Sequence, residues 1–101
     1  MAFAMASTAA FAQAPKEEPG SSRMKHSMMA GMDGMQKMPM SGDTDKDFAM
    51  MMKMHHEQAV VMAQEELKSG KSPEMKAMAR KIISAQKKEI AEFDRWLANT
   101  K

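Results

Sequence analysis

The chain has 101 residues, with 15 Lys and Arg against 13 Asp and Glu, and it contains 16 methionines and no cysteine. This length allows one small domain, and the absence of cysteine excludes disulfides and thiolate metal sites. A formal net charge of +2, with one Trp and four Phe, is too weak a basic and aromatic signature for nucleic-acid binding. Methionine and histidine are therefore the soft or borderline metal ligands that this composition offers.

Residues 1–14 form an uncharged, apolar N-terminal segment. The segment ends in two overlapping A-x-A cleavage sites between Ala10 and Ala14, and it is too short to span a bilayer. We therefore expect a secretory signal peptide, truncated at its basic start, and a periplasmic or secreted bacterial protein whose mature chain is not inserted in the membrane. An apolar tail without a targeting role is the alternative.

Residues 15–42 are rich in Pro, Gly, Ser, Lys and Glu, and they predict a flexible segment because Gly31 and Gly34 oppose a stable helix. Soft donors are nevertheless concentrated between Met24 and Met40. Such a segment could place two or three sulfur atoms around one Cu(I) ion. A sticky disordered tail or a sacrificial target for oxidants would have the same composition. The candidate metal ligands here are His26, Met28, Met29, Met32, Met35 and Met38.

Two long helices are predicted in the second half of the chain. The first should begin near Thr44, where Thr44 and Asp47 have the spacing of a capping box, and should stop at Ser69-Gly70. Ser72-Pro73 then provides an N-cap and a helix-compatible proline for a second helix that runs to about Ala98. Because the turn is short, we expect an antiparallel hairpin.

This hairpin, residues 43–101, is expected to be the whole folded domain, all-α in class and equivalent to half of a helical bundle. The hairpin leaves the other side of its apolar stripe uncovered, so a homodimer that forms a four-helix bundle is expected. Ordering of residues 22–40 as a third element is the alternative. With the turn centred between residues 70 and 71, His55 and Gln86 lie at the same level. We therefore expect Gln86 to support His55 through a hydrogen bond.

The first helix carries thioethers and imidazoles on a common face. At 100° per residue, Met51, Met52 and Met62 fall within about 60° of His55, whereas His56 is rotated by about 100°. Packing alone would explain a methionine stripe, and a core His55 beside a surface His56 would explain the histidine pair. Together with the separate Met/His segment, however, these donors favour a site for Cu(I), or for Ag(I), over a site for a hard ion.

Other metal and catalytic chemistries lack their motifs. A di-iron bundle needs Glu-x-x-His, but Met, Lys and Arg stand three residues before the histidines. His56-Glu57 begins the zinc motif H-E-x-x-H, but Val60 occupies its last ligand position. No nucleophile arrangement and no phosphate-binding glycine loop is present in the sequence. We therefore expect a binding protein and not an enzyme.

The two helices resemble a known bacterial family, the domain of unknown function 305 family, over about residues 43–98. The pattern is Asp45-x-x-Phe48-x-x-x-Met52-x-x-His55-His56-x-x-Ala59-x-x-Met62-Ala63, followed by Ile82-Ile83-x-x-Gln86-x-x-Glu89-Ile90-x-x-x-x-x-Trp96-Leu97. The resemblance implies a ferritin-like bundle, export to the periplasm, and copper binding or copper resistance through Met52, His55, His56 and Met62. Phe93 stands where the pattern would have a methionine, which removes one thioether from the second helix.

The function predicted from these observations is binding of Cu(I), and by the same softness Ag(I), for buffering, resistance or delivery to a copper transporter or acceptor protein. The alternative is a metal-independent stress protein whose methionine-rich surface accommodates apolar segments of other proteins. A membrane-surface role for the second helix is disfavoured, because Glu89, Glu92 and Asp94 interrupt its cationic face.

Overall fold

The computed structural model describes residues 18–100. Within that range the protein is all-α, with the helices α1 (Gly20–Lys37), α2 (Thr44–Ser69) and α3 (Pro73–Asn99). The all-α prediction is therefore confirmed, whereas the predicted signal peptide lies outside the described residues. None of the helices in the described range is long and apolar enough to cross a bilayer.

Helix α2 begins at the predicted position but with a different capping residue. The Asp43 side chain accepts hydrogen bonds from the backbone N–H groups of Asp45 and Lys46, at 3.0 and 3.1 Å. Asp47 instead accepts hydrogen bonds from the backbone N–H and the hydroxyl of Ser41, at 2.9 and 2.8 Å. These bonds hold the pKa of Asp47 below its ordinary value, the backbone bond most of all. The turn before α2 is therefore tied to the first turn of the helix.

The turn between α2 and α3 consists of residues 70–72. Gly70 ends α2 with an extended backbone, φ −72° and ψ 159°. The Ser72 hydroxyl then accepts a hydrogen bond from the backbone N–H of Met75 at 3.2 Å, and Pro73 is the first helical residue. Both of the predicted helix boundaries at this turn are confirmed.

Helices α2 and α3 pack antiparallel along a narrow apolar seam. The seam residues of α2 are Ala49, His56, Val60 and Ala63, and Ala79 is buried opposite them. These positions recur at three-, four- and seven-residue steps, as expected for one helical face. Beside the seam, Lys53 Nζ lies 2.6 Å from Asp94 Oδ1, and the Asp94 carboxylate raises the pKa of Lys53.

The predicted pairing of His55 with Gln86 is wrong. His56 is the histidine that faces α3, where its Nε2 donates a hydrogen bond to the Glu89 carboxylate. The Gln86 side-chain oxygen is buried and has no hydrogen-bond partner in the described part of the chain. The two helices meet near the predicted level, since Phe48 of α2 packs on Phe93 of α3, and the pairing fails because α2 turns His56 and not His55 toward α3.

Helix α1 lies within the segment 15–42, where the two glycines had predicted no stable helix. It packs antiparallel on α2, with Gly20 beside Ser69 and Gly31 beside Gln58. A Cβ added at Gly31 would overlap the end of the Gln58 side chain and would lie 2.8 Å from its Cδ. Glycine lowers the intrinsic helix propensity here, but it also allows α1 to approach α2 closely. The structure therefore contains the third element that was the alternative to a homodimer.

The N-terminal end of α1 is fixed to the C-terminal end of α2 by Arg23. Its guanidinium donates hydrogen bonds to Glu65 Oε1 at 2.8 and 3.1 Å and to the Ser69 hydroxyl at 2.8 Å. The Arg23 bonds, and then the Ser69 hydroxyl, hold the pKa of Glu65 below its ordinary value. This charged, hydrogen-bonded contact orients α1 although no residue of α1 is buried.

Helix α2 is the central element of the three. Among the described residues, α2 packs against both α1 and α3, whereas α1 and α3 do not pack on each other. The methionine and histidine stripe that was predicted to face a single partner therefore lies partly toward α1 and partly in the open space between α1 and α3. That arrangement produces the grooves described next.

Candidate functional site

A groove of about 360 Å³ runs between α1 and α2; it is called the two-helix groove below. Its residues recur every three or four positions on each helix, so each helix contributes one face. Antiparallel packing brings the two faces together over about two helical turns. The lining residues are Met28, Met32 and Met35 from α1, and His55, Gln58, Ala59 and Met62 from α2.

The two-helix groove continues toward the α1–α2 turn. A neighbouring depression of about 240 Å³ is lined by Met32, Met35, Gln36 and Met51. Met32 and Met35 therefore belong to both spaces, and Met51 lies next to the donors of the larger groove. The methionines that the sequence placed in separate regions thus form a continuous surface.

The donors of the two-helix groove are neutral and soft. Four thioethers and one imidazole line it, with the amide of Gln58 as the other polar side chain. His55 and Met32 are exposed to solvent, so the groove is accessible without opening the fold. The Gln58 amide nitrogen is buried without a hydrogen-bond partner among the described residues. This nitrogen is a donor and cannot ligate a cation, so the coordinating atoms available are sulfur, imidazole nitrogen and the Gln58 amide oxygen.

Oxygen-rich metal sites do not form in the part of the chain that the structure describes. In residues 18–100, no three His, Asp or Glu side chains come together in a group that could hold a metal ion. Sites for Ca²⁺ or Mg²⁺ require several oxygen ligands. The donor set of the two-helix groove therefore fits a soft monovalent ion such as Cu(I) or Ag(I), because such ions prefer thioether and imidazole ligands.

His56, although predicted as a ligand, lies in the α2–α3 seam with only 7% of its surface exposed. Its ring packs edge-on against Phe93, with ring centroids 5.5 Å apart, and its Nε2 is bound to Glu89. Met52, one turn earlier on the helix, is half-buried and does not line the two-helix groove. Adjacent residues on a helix point about 100° apart, so His56 contacts α3 whereas His55 faces α1.

The remaining candidates from the Met/His segment also lie outside the two-helix groove. His26 is exposed, and its Nδ1 lies 2.7 Å from Glu18 Oε1. Met29 is exposed on the outer side of α1, and Met38 is half-buried just beyond the end of that helix. Of the predicted ligands, the structure therefore groups Met28, Met32, Met35, His55 and Met62, with Met51 adjoining them.

A third space was not predicted. It is a groove of about 290 Å³ lined by residues of all three helices, and it is called the three-helix groove below. Its methionines are Met24, Met62, Met75 and Met78, and Glu66 also lines it. Met24 begins the run of soft donors in the sequence, but sequence spacing alone could not reveal that α1 and α3 line one groove along α2.

Comparison with known protein families identifies the family of the chain. No curated protein sequence matches it. The sequence model described as "Domain of unknown function (DUF305)" matches residues 3–97, which is nearly the whole chain. The chain therefore belongs to the domain of unknown function 305 family.

Proposed function

We propose that this protein binds Cu(I), and by the same chemistry Ag(I), as cargo in the bacterial periplasm. The observation that carries the proposal is the two-helix groove, which brings thioethers from α1 together with His55 and Met62 of α2. Soft sulfur and imidazole ligands select Cu(I) over hard divalent ions. Buffering, resistance, or delivery to a copper transporter or acceptor protein would each use such a site without any catalysis.

The export part of the proposal is supported by the sequence of residues 1–14, which has the composition and cleavage pattern of a signal peptide. Fractionation of cells that express the full chain, followed by N-terminal sequencing of the mature protein, would test it. An uncleaved protein retained in the cytoplasm would contradict export.

Metal binding should be tested by titration of the mature protein with Ag(I) or Cu(I) against a competing chelator. The informative comparison is His55→Leu against His56→Leu, because the two histidines are adjacent in sequence but face different helices. We expect His55→Leu to weaken binding by at least about tenfold. Loss of a residue that merely supports a metal ligand already lowers affinity by about that factor. His56→Leu should leave affinity unchanged.

Methionine variants provide the second part of the test. Met28→Leu and Met35→Leu keep the apolar volume but remove a sulfur from the two-helix groove. Met50→Leu is the matched control, because Met50 is an exposed residue of α2 that does not line either groove. Equal affinity in all three variants, with His55→Leu also unchanged, would remove the groove from the proposal.

A second candidate function is metal-independent binding of apolar segments of other proteins. It is favoured by an aromatic groove of about 310 Å³ at the end of α2 and α3, lined by Phe48, Phe93 and Trp96 among others. Phe48 is 59% exposed, which is unusual for a side chain of this size in a folded domain. Suppression of client aggregation that persists in excess chelator, and is lost in Phe48→Ser, would favour this function over metal binding.

Dimerisation belongs to the first proposal. The same exposed Phe48 and Trp96 leave an apolar surface uncovered at one end of the α2–α3 pair, and a second copy would cover it in a ferritin-like bundle. Sedimentation of the wild-type protein and of Phe48→Ser over a range of concentrations would test this. A monomeric wild-type protein at high concentration would contradict it.

A further inference from the structure

The three-helix groove contains four thioethers, and the proposed function uses only that of Met62. Met24 comes from α1, Met62 from α2, and Met75 and Met78 from α3. Among residues 18–100, the remaining lining residues are alanines, Ile82 and Glu66, so the soft donors are all methionines. Three different helices thus direct sulfur-bearing side chains to one space of about 290 Å³.

Packing does not account for the methionines of α3 in this groove. Met75 and Met78 are 45% and 50% exposed, whereas the next residue, Ala79, is buried against α2. A methionine that is half in solvent contributes little to a core, and its three rotatable bonds leave the sulfur free to move. Both thioethers can therefore turn into the groove without breaking an existing contact of the seam.

The charge in the groove also suits a monovalent cation. Thioethers are neutral, so they do not compensate the charge of a bound ion. Glu66 lines the three-helix groove and is the acidic residue there. One carboxylate offers too few oxygen ligands for Ca²⁺ or Mg²⁺, which take six or more. It can, however, balance a single positive charge that sulfur atoms coordinate.

We propose that the three-helix groove is a second binding site for a soft monovalent cation, Cu(I) or Ag(I), with the sulfur atoms of Met24, Met62, Met75 and Met78 as its donors. This inference rests on the proposed function, which it extends from one site to two. Because Met62 lines both grooves, the two sites are contiguous. A cation can therefore pass from one to the other by exchange of thioether ligands, and the two sites compete for Met62.

The experiment is an Ag(I) titration of the mature protein with ¹³C-labelled methionine methyl groups, because Ag(I) undergoes no redox change and each methyl reports on its own sulfur. We expect the signals of Met75 and Met78 to shift at a stoichiometric Ag(I) addition, separately from those of Met28 and Met35. The signal of Met50, which does not line either groove, is the internal control.

Variants then separate the two sites. The double substitution Met75→Leu and Met78→Leu should lower the number of tightly bound Ag(I) ions by one without weakening binding at the His55 site, because Met62 is then free to serve that site. Met62→Leu should weaken binding at both sites. Helix content, followed by circular dichroism, should stay constant, because leucine keeps the volume and the helix propensity of methionine.

The outcomes distinguish this inference from the proposed function. The second site is overturned, and the first stands, if Ag(I) shifts the methyl signals of Met28 and Met35 first. In that case the signals of Met75 and Met78 shift only at the excess of Ag(I) that also shifts the Met50 control. If none of the groove methionines responds, both fail. An unchanged stoichiometry in the Met75 and Met78 double variant would also overturn the second site.

Discussion

Substitution of the two helix-α1 glycines, one at a time, tests whether α1 docks on α2 as described. Alanine in place of a helical glycine stabilises a helix by about 1 kcal/mol, and this gain is the same for Gly31→Ala and Gly34→Ala. The surroundings differ, however. A Cβ at Gly34 would meet only the Met54 methyl at 3.6 Å, an ordinary contact, whereas a Cβ at Gly31 would overlap the Gln58 side chain.

The overlap at Gly31 sets the expected magnitude. Crowding a packed interface costs about 1–3 kcal/mol, and the lower end applies here because the flexible end of Gln58 can move. Its amide nitrogen has no hydrogen-bond partner among the described residues, so its movement breaks no bond. We therefore expect Gly34→Ala to raise the free energy of unfolding by about 1 kcal/mol and Gly31→Ala to leave it unchanged or slightly lower.

The assay is urea denaturation followed by circular dichroism, with amide hydrogen exchange in α1 as a local measurement, because a helix docked on one side can open before the whole fold does. Adding Gln58→Ala to Gly31→Ala should restore the gain, with a coupling free energy of about 1–2 kcal/mol between the two positions. Equal gains from Gly31→Ala and Gly34→Ala, with no coupling to Gln58, would refute the described contact.

Three further predictions concern charged and capping residues. Asp43→Ala should lower the free energy of unfolding by about 1 kcal/mol, because the first turn of α2 loses its N-cap; urea denaturation measures it. Acid should release α1 from α2, because the stabilisation from the lowered pKa of Glu65 is present above about pH 4.3 and is lost as the pH falls through that lowered pKa. Amide hydrogen exchange in α1 should therefore become faster in acid, and Arg23→Gln should remove this pH dependence. Glu89→Leu should lower the free energy of unfolding, measured by thermal denaturation, by about 1–3 kcal/mol, because buried His56 loses its hydrogen-bond partner. His56→Leu should leave that free energy nearly unchanged, since the half-exposed Glu89 carboxylate can be solvated by water.

The ends of α2 and α3 could be predicted from sequence because their signals are local. Ser72 and Pro73 begin α3, and Ser69 ends α2, as expected from capping and proline rules. Even the one local error is small, since Asp43 replaces the expected Thr44 as N-cap while the helix start is unchanged. Such rules depend on a few neighbouring residues and hold in whatever tertiary structure the helix joins.

The rotation of α2 could not be predicted, because it depends on how many helices pack against it. With a single partner, the stripe through His55 and Met62 would be the buried one. With α1 and α3 on different sides, the buried seam moves to His56, Val60 and Ala63, about 100° away. Because residues 15–42 were expected to be flexible, His55 was assigned the α3 contact that His56 makes, whereas His55 and Met62 line the groove toward α1.

Glycine in α1 illustrates the same limit of local reasoning. By helix propensity, which describes an isolated helix, Gly31 makes α1 about 1 kcal/mol less stable than alanine would. In the structure, the same missing Cβ makes room for Gln58 and lets the thioethers of Met28, Met32 and Met35 approach α2. A residue that weakens α1 by itself is therefore one that allows α1 to dock.

The two adjacent histidines indicate which part of the molecule adjusts to a bound ion. His56 joins α2 to α3 through Glu89 and a ring contact with Phe93, and this contact does not involve α1. His55 faces α1, whose attachment depends on Arg23 and on close glycine contacts and not on buried side chains. Under the proposed function, an ion bound between α1 and α2 would stabilise the docking of α1 by a free energy that grows with the logarithm of the ion concentration divided by Kd. Substitutions that loosen α1 should then weaken metal binding without unfolding the α2–α3 pair.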